Sequence, residues 1–284
     1  MLRQALEAAR AAGTDKATQR EILNRVMGLL MELGLDVSPP QVTQRAHRLI
    51  RKVSGNPDPY AGKKQEYNRR ALALLPGLRA RVEAVADPLE IAVRLAIAGN
   101  VIDFGAKAGG FDLDRELEKA ESAPFRVWDY EAFRADILKA RSILYLGDNA
   151  GEIVFDRLLI EVLKRLSEAD ITYVVRGRPI LNDATFEDAR FVGLDRLVPV
   201  IDNGNDAPGT VLAEAPPELR KLFEAADVVV AKGQGNFEAL SDARGSLYFL
   251  FQVKCAVIAE AAGAEVGAYM LRRSRPARTG NLRV

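Results

Sequence analysis

Apolar positions in the first half of the chain recur with the period of a helix. Ile22, Leu23, Val26, Leu29, Leu30 and Leu33 share one face, and charged side chains fill the other, the spacing of an amphipathic helix that buries a single stripe. The pattern predicts a helical N-terminal domain over 1–140. It breaks at GNPDPY (55–60) and at AGNVIDFGAKAGGFD (98–112), both rich in turn formers and read as connections.

After Arg141 the pattern changes to short β-rich runs, each followed by a polar Gly/Asn/Asp loop and then a helical stretch. The runs are SILYLG (142–147), ITYVVRG (171–177), LVPVID (197–202), DVVVAKG (227–233) and SLYFLFQVK (246–254), with GAYMLR (267–272) expected as an edge strand. Strands alternating with helices build a mostly parallel sheet covered by helices. The predicted class is therefore α/β, with an α/β domain over 141–284 following the helical one.

Composition removes several kinds of chemistry. Lys plus Arg number 40 against 39 for Asp plus Glu, so no basic footprint for nucleic acid is expected. No run approaches the roughly 18 apolar residues that cross a bilayer, and no signal-peptide core opens the chain; a cytoplasmic location without a membrane partner is expected. One cysteine, Cys255, and one histidine, His47, exclude intrachain disulfides and metal centres built from several thiolates or imidazoles. Any metal is held mainly by oxygen. His47 falls among Val42, Ala46, Leu49, Ile50 and Val53 at helical spacing, and is read as a packing residue.

Parallel sheets collect ligands at the carboxyl ends of their strands. The loops that arrive there carry Asp148 and Asn149, Asn182 and Asp183, Asp202 and Asn203, and Lys232 and Asn236. Two readings stand for the first loop. Asn149 with Glu152 three residues later fits a helix cap, as Thr185 with Asp188 does in the next; alternatively Asp148, Asn149 and Asp183 are hard ligands for magnesium, manganese, cobalt or nickel. Lys232, followed by Gly233 and Gly235, favours the second, because bare glycine backbone would let a phosphate reach the amides. The helix starting near Gly151 would add free N–H groups beside that ion.

The motifs DNAGEIVFD, RGRPILNDAT, NGNDAPGT, AKGQGNFEAL and FLFQVKC occur in order over about residues 145–255. Together they resemble the DUF89 family, the metal-dependent damage-control phosphatases, most closely its stand-alone microbial branch. AGNVIDFG, GNPDPYAGKK and the opening LRQALEAAR extend the resemblance over nearly the whole chain. It implies a three-layer α/β/α Rossmann-like domain with a helical N-terminal portion. It also implies hydrolysis of small phosphomonoesters, either sugar phosphates or damaged phosphometabolites, with a divalent metal on Asp148, Asn149 and Asp183. Lys232 and the loop containing Gln234, Gly235, Asn236 and Glu238 match the family's substrate loop, Lys254 matches a second phosphate-facing lysine, and Asn100 and Asp103 match a loop reaching in from the helical portion. Microbial relatives often open with Cys-x-x-Cys, which is absent before Arg3.

The mechanism that fits has the metal polarise a phosphoryl oxygen while Lys232 and Lys254 hold the group for in-line attack. Asp148 as nucleophile and metal-activated water with Glu152 orienting it are both open. Two other functions compete: an S-adenosylmethionine-dependent carboxyl methyltransferase, weakened by the missing glycine fingerprint after the first strand, and a non-catalytic module binding phosphometabolites.

Overall fold

The computed structural model describes residues 1–34, 37–99, 124–243 and 245–274. Five helices come first: α1 (Leu2–Ala11), α2 (Lys16–Glu32), α3 (Pro39–Ser54), α4 (Ala61–Glu83) and α5 (Pro88–Ala98). Their starts are set by local chemistry. Asp15 accepts the Thr18 N–H at 2.8 Å, Ser38 and Gln41 form a capping box ahead of Pro39, and Asp87 accepts the Glu90 N–H ahead of Pro88; caps of this kind contribute about 1 kcal/mol each. Helices α1 to α3 enclose a small core of their own around Ala8, Ile22, Val26, Ala46 and Ile50.

The remaining elements are β1 (Phe125–Trp128), α6 (Tyr130–Ile137), β2 (Ser142–Leu146), α7 (Glu152–Leu166), β3 (Asp170–Val175), α8 (Phe186–Phe191), β4 (Val200–Asp202), α9 (Pro217–Ala225), β5 (Val228–Lys232), α10 (Gly233–Leu240), β6 (Leu247–Gln252), α11 (Ala256–Ala262) and β7 (Tyr269–Arg273). Among the described residues, the seven strands form one sheet in the order β1-β7-β6-β5-β2-β3-β4. All neighbours are parallel except β6 and β7.

Alternation along the strands builds the three layers. On β2, Ile143 and Tyr145 join the core under α4, α5 and α7, whereas Leu144 and Leu146 join the opposite core under α9, α10 and α11. The α/β/α class expected from sequence is thus observed. Two details differ from the sequence reading. The run GAYMLR is not the edge, because β1 pairs outside it. Strand β1 itself lies in the stretch read as helical: FRVW is four residues long with Arg126 exposed, too short to establish a period of two.

The strand order positions the site. From β2 the chain moves outward through β3 to β4, and then returns to place β5 on the other side of β2 before continuing to β6. The reversal makes the carboxyl ends of β2 and β5 the switch point at which sheets of this kind bind ligands; there Gly147 leaves one strand and Lys232 ends the other.

Candidate active site

Asp148 and Asn149 follow β2 directly. The chain leaving β3 turns back through Leu181, whose φ of 47° is uncommon for a bulky residue, and lays Asp183 beside Asn149 as an antiparallel bridge. Backbone bonds fix the two loops together, Ala184 N–H to Asp148 O and Ala150 N–H to Asn182 O, both at 2.8 Å. Asp148 and Asp183 are buried, and Asn149 is half-buried. Arg176 at the end of β3 reaches both acids, donating from Nε to Asp183 Oδ2 at 2.6 Å and from Nη2 to Asp148 Oδ1 at 3.3 Å.

Asn149 is not the helix cap. Gly151 holds that position at φ 80° without a side-chain cap, and Asn149 Nδ2 instead donates to Asp148 Oδ2 at 2.7 Å and Glu152 Oε2 at 3.1 Å. The Gly151 N–H is not free for an anion either, since Asn68 Oδ1 accepts it at 2.7 Å. Asn68 Nδ2 and Lys64 Nζ from α4 meanwhile bind Asp188 at 2.7 and 3.2 Å. Thr185 and Asp188 do form the expected capping box.

Lys232 differs from the expected phosphate contact. Its ammonium is fully buried and donates to Glu152 Oε1 and Asp156 Oδ1, each at 2.6 Å, and to Ala96 O at 2.8 Å. The last residue of β5 points inward, beneath α7. The glycines after it likewise serve packing. A Cβ at Gly233 would strike the Asp148 carboxylate, and one at Gly235 would lie 2.7 Å from Pro208 O. Asn236 is a buried brace, donating to Gly147 O at 3.1 Å and Lys232 O at 2.8 Å while accepting the Thr210 N–H at 2.8 Å. Gln234 is partly exposed, binding Glu238 Oε1 at 2.7 Å and the Lys254 N–H at 2.9 Å. Lys254 is exposed, and its charge reaches both Asp148 and Asp183. Asn100 and Asp103 lie outside the described residues.

Among the described residues, five buried carboxylates, of Asp148, Glu152, Asp156, Asp183 and Asp188, meet three buried cations, Lys64, Arg176 and Lys232, a formal excess of two negative charges among these buried groups. Burial, with the nearby Glu152 and Asp183, pushes the Asp148 carboxyl up to about 8 despite Arg176 and Lys254. Burial also raises Asp183 and Asp156. The Lys232 ammonium is raised too: burial works against its charge, but Asp156 and Glu152 outweigh it. Among the described residues no three or more His, Cys, Asp and Glu side chains gather as a metal cage. The Asp148 and Asp183 carboxylates and the Asn149 amide carry hard-oxygen donors on the two joined loops.

Residues 1–270 match the model of the damage-control phosphatase ARMT1-like domain. The chain belongs to this family. A damage-control phosphatase of Archaeoglobus fulgidus is 40% identical over 231 residues, covering 78% of each chain. Another, PH1575 of Pyrococcus horikoshii, is 36% identical over 225 residues, 79% of this chain and 77% of that one. A Methanocaldococcus jannaschii protein is 35% identical over 276 residues, 94% of this chain and 90% of its own. The crystal structure of the P. horikoshii DUF89 family protein has a TM-score of 0.88 to this fold at 32% identity, over 96% of both chains. The names of the first two relatives support a phosphatase role for the damage-control family, as the motifs implied.

Sequence reasoning missed Arg176, Asp156, Lys64 and Asn68. Arg176 had a signal, a charge closing an otherwise apolar strand. The others had a subtler one: Glu152 with Asp156 and Lys64 with Asn68 are polar pairs four residues apart, each placed on one helix face.

Proposed function

We propose that this chain is a metal-dependent phosphatase acting on small phosphomonoesters, such as sugar phosphates or damaged phosphometabolites, with Asp148, Asn149 and Asp183 as ligands for a divalent cation. The observation that carries the reading is the excess of two negative charges among the buried described residues around those three side chains, at the carboxyl ends of β2 and β3. Burial, together with that excess, raises the Asp148 carboxyl, and a magnesium, manganese, cobalt or nickel ion would relieve the excess.

When bound, such a cation supplies Lewis-acid polarisation of a phosphoryl oxygen. The chain's residues divide the remaining work. Arg176 holds Asp148 and Asp183 in fixed orientation through one oxygen of each. The exposed Lys254 neutralises phosphoryl charge, and Gln234 fixes its backbone. Both Asp148 oxygens already accept bonds from Arg176 and Asn149, which favours water over Asp148 as nucleophile. The water's oxygen forms the new P–O bond as the ester P–O bond breaks, and its proton ends on the departing alcohol. Glu152 is committed to Lys232 and Asn149, so it does not orient that water.

The test is a hydrolysis panel of an aryl phosphate, sugar phosphates and phosphopantetheine, each with magnesium, manganese, cobalt or nickel, and each repeated with chelator. Release of phosphate that depends on added metal is expected. Turnover equal in chelator would refute the metal role, and no turnover with any pairing would favour a binding module.

A further inference from the structure

Lys232 and Glu152 face no opening, yet they adjoin the ligand set. Lys232 uses all three of its donors, on Glu152, Asp156 and the Ala96 carbonyl. Asp156 alone would balance that ammonium, and it is itself satisfied by the Tyr145 and Tyr173 hydroxyls, each at 2.8 Å. Glu152 is therefore a second buried carboxylate on the same cation, with a desolvation cost that charge balance does not require. Its other oxygen, Oε2, goes to Asn149.

The Asn149 amide nitrogen carries two hydrogens, and both are committed to carboxylates: Asp148 Oδ2 at 2.7 Å and Glu152 Oε2 at 3.1 Å. Reversing the amide would set its oxygen against two carboxylate oxygens. The nitrogen is thus held between the two carboxylates, which fixes the edge of the amide on which Oδ1 lies. We propose that Glu152, held by Lys232, is a positioning residue that fixes the Asn149 amide with its oxygen presented to the cation. This rests on the ligand role assigned above to Asp148, Asn149 and Asp183. It also gives Lys232 a place in the site without a phosphate contact: strand β5 anchors the ammonium, the ammonium anchors Glu152, and Glu152 sets the face of the amide.

The test compares Mn2+ binding by the full chain, read by electron paramagnetic resonance of free Mn2+, in wild type, Glu152→Gln and the double variant Glu152→Gln with Lys232→Met. The double variant removes one negative and one positive charge together, so it separates orientation of the amide from simple electrostatic attraction. The expected result is a loss of Mn2+ affinity of about tenfold to a hundredfold in both, with far-ultraviolet circular dichroism unchanged in the double variant and hydrolysis recovering at saturating Mn2+. Affinity in the double variant equal to wild type would overturn the inference and leave the cation site standing. Unfolding of both variants would overturn it too, by making Glu152 a packing group. A wild-type chain that binds no Mn2+ would remove the cation site itself.

Discussion

Arg176 Nε lies 2.6 Å from Asp183 Oδ2, a bond between two buried residues seven apart in sequence. It closes the turn after β3 onto the strand that the turn leaves, and so brings Asp183 back to the end of β2. The same guanidinium reaches Asp148, which makes Arg176 the hinge pin between the two acids.

Arg176→Met should therefore destabilise the metal-free chain by about 3 kcal/mol, since removing one partner of a buried ion pair leaves the other's charge uncompensated. Chemical denaturation in the presence of chelator measures it. A change below about 1 kcal/mol would mean that the acids do not depend on the guanidinium.

Gly233→Ala should abolish most of the hydrolysis while leaving the chain folded. Its φ is 78° and a Cβ would occupy the space of the Asp148 carboxylate, so the substitution displaces a ligand and adds strain of about 1–3 kcal/mol. Wild-type turnover with a normal melting curve would contradict the placement of Asp148 against this backbone.

His47, on α3, supplies a pH dependence of stability. It is buried on α3 with no partner for Nε2 among the described residues, and burial, with the Arg51 charge, lowers its pKa from 6.5 to about 4. Asp206, which faces it from the loop after β4, opposes that shift. The unfolded chain binds the proton first, so stability falls as pH drops below about 6.5, by up to about 1.4 kcal/mol per pH unit until about pH 4. The stability difference between wild type and His47→Phe should shift by that slope over the same window and stay flat above pH 7. A constant difference would place the imidazole in water.

Much of this architecture was legible in the sequence. Five strand runs ending in Gly, Asp or Lys announced a parallel sheet, and their alternation of faces became the two cores. The loops carrying Asp148, Asn149 and Asp183 could be assigned to one edge because parallel strands deliver their successors there. What the sequence could not show was direction within that edge. Lys232 and Asn236 stand beside glycines as phosphate-binding residues do, yet tertiary packing turns both inward, and the glycines admit Asp148 and Pro208 rather than a ligand. Lys64 and Asn68 gain their roles from contacts across long sequence separations, Asn68 to Gly151 being one, and local pattern carries little of that. No helix among the described residues is long and apolar enough to cross a membrane.

The central claim, a divalent cation held by Asp148, Asn149 and Asp183, is tested most directly by calorimetric titration of Mn2+ into wild type and into Asp183→Ala. The account predicts one tight site per wild-type chain and loss of that site in the folded variant. An identical isotherm from Asp183→Ala would contradict it.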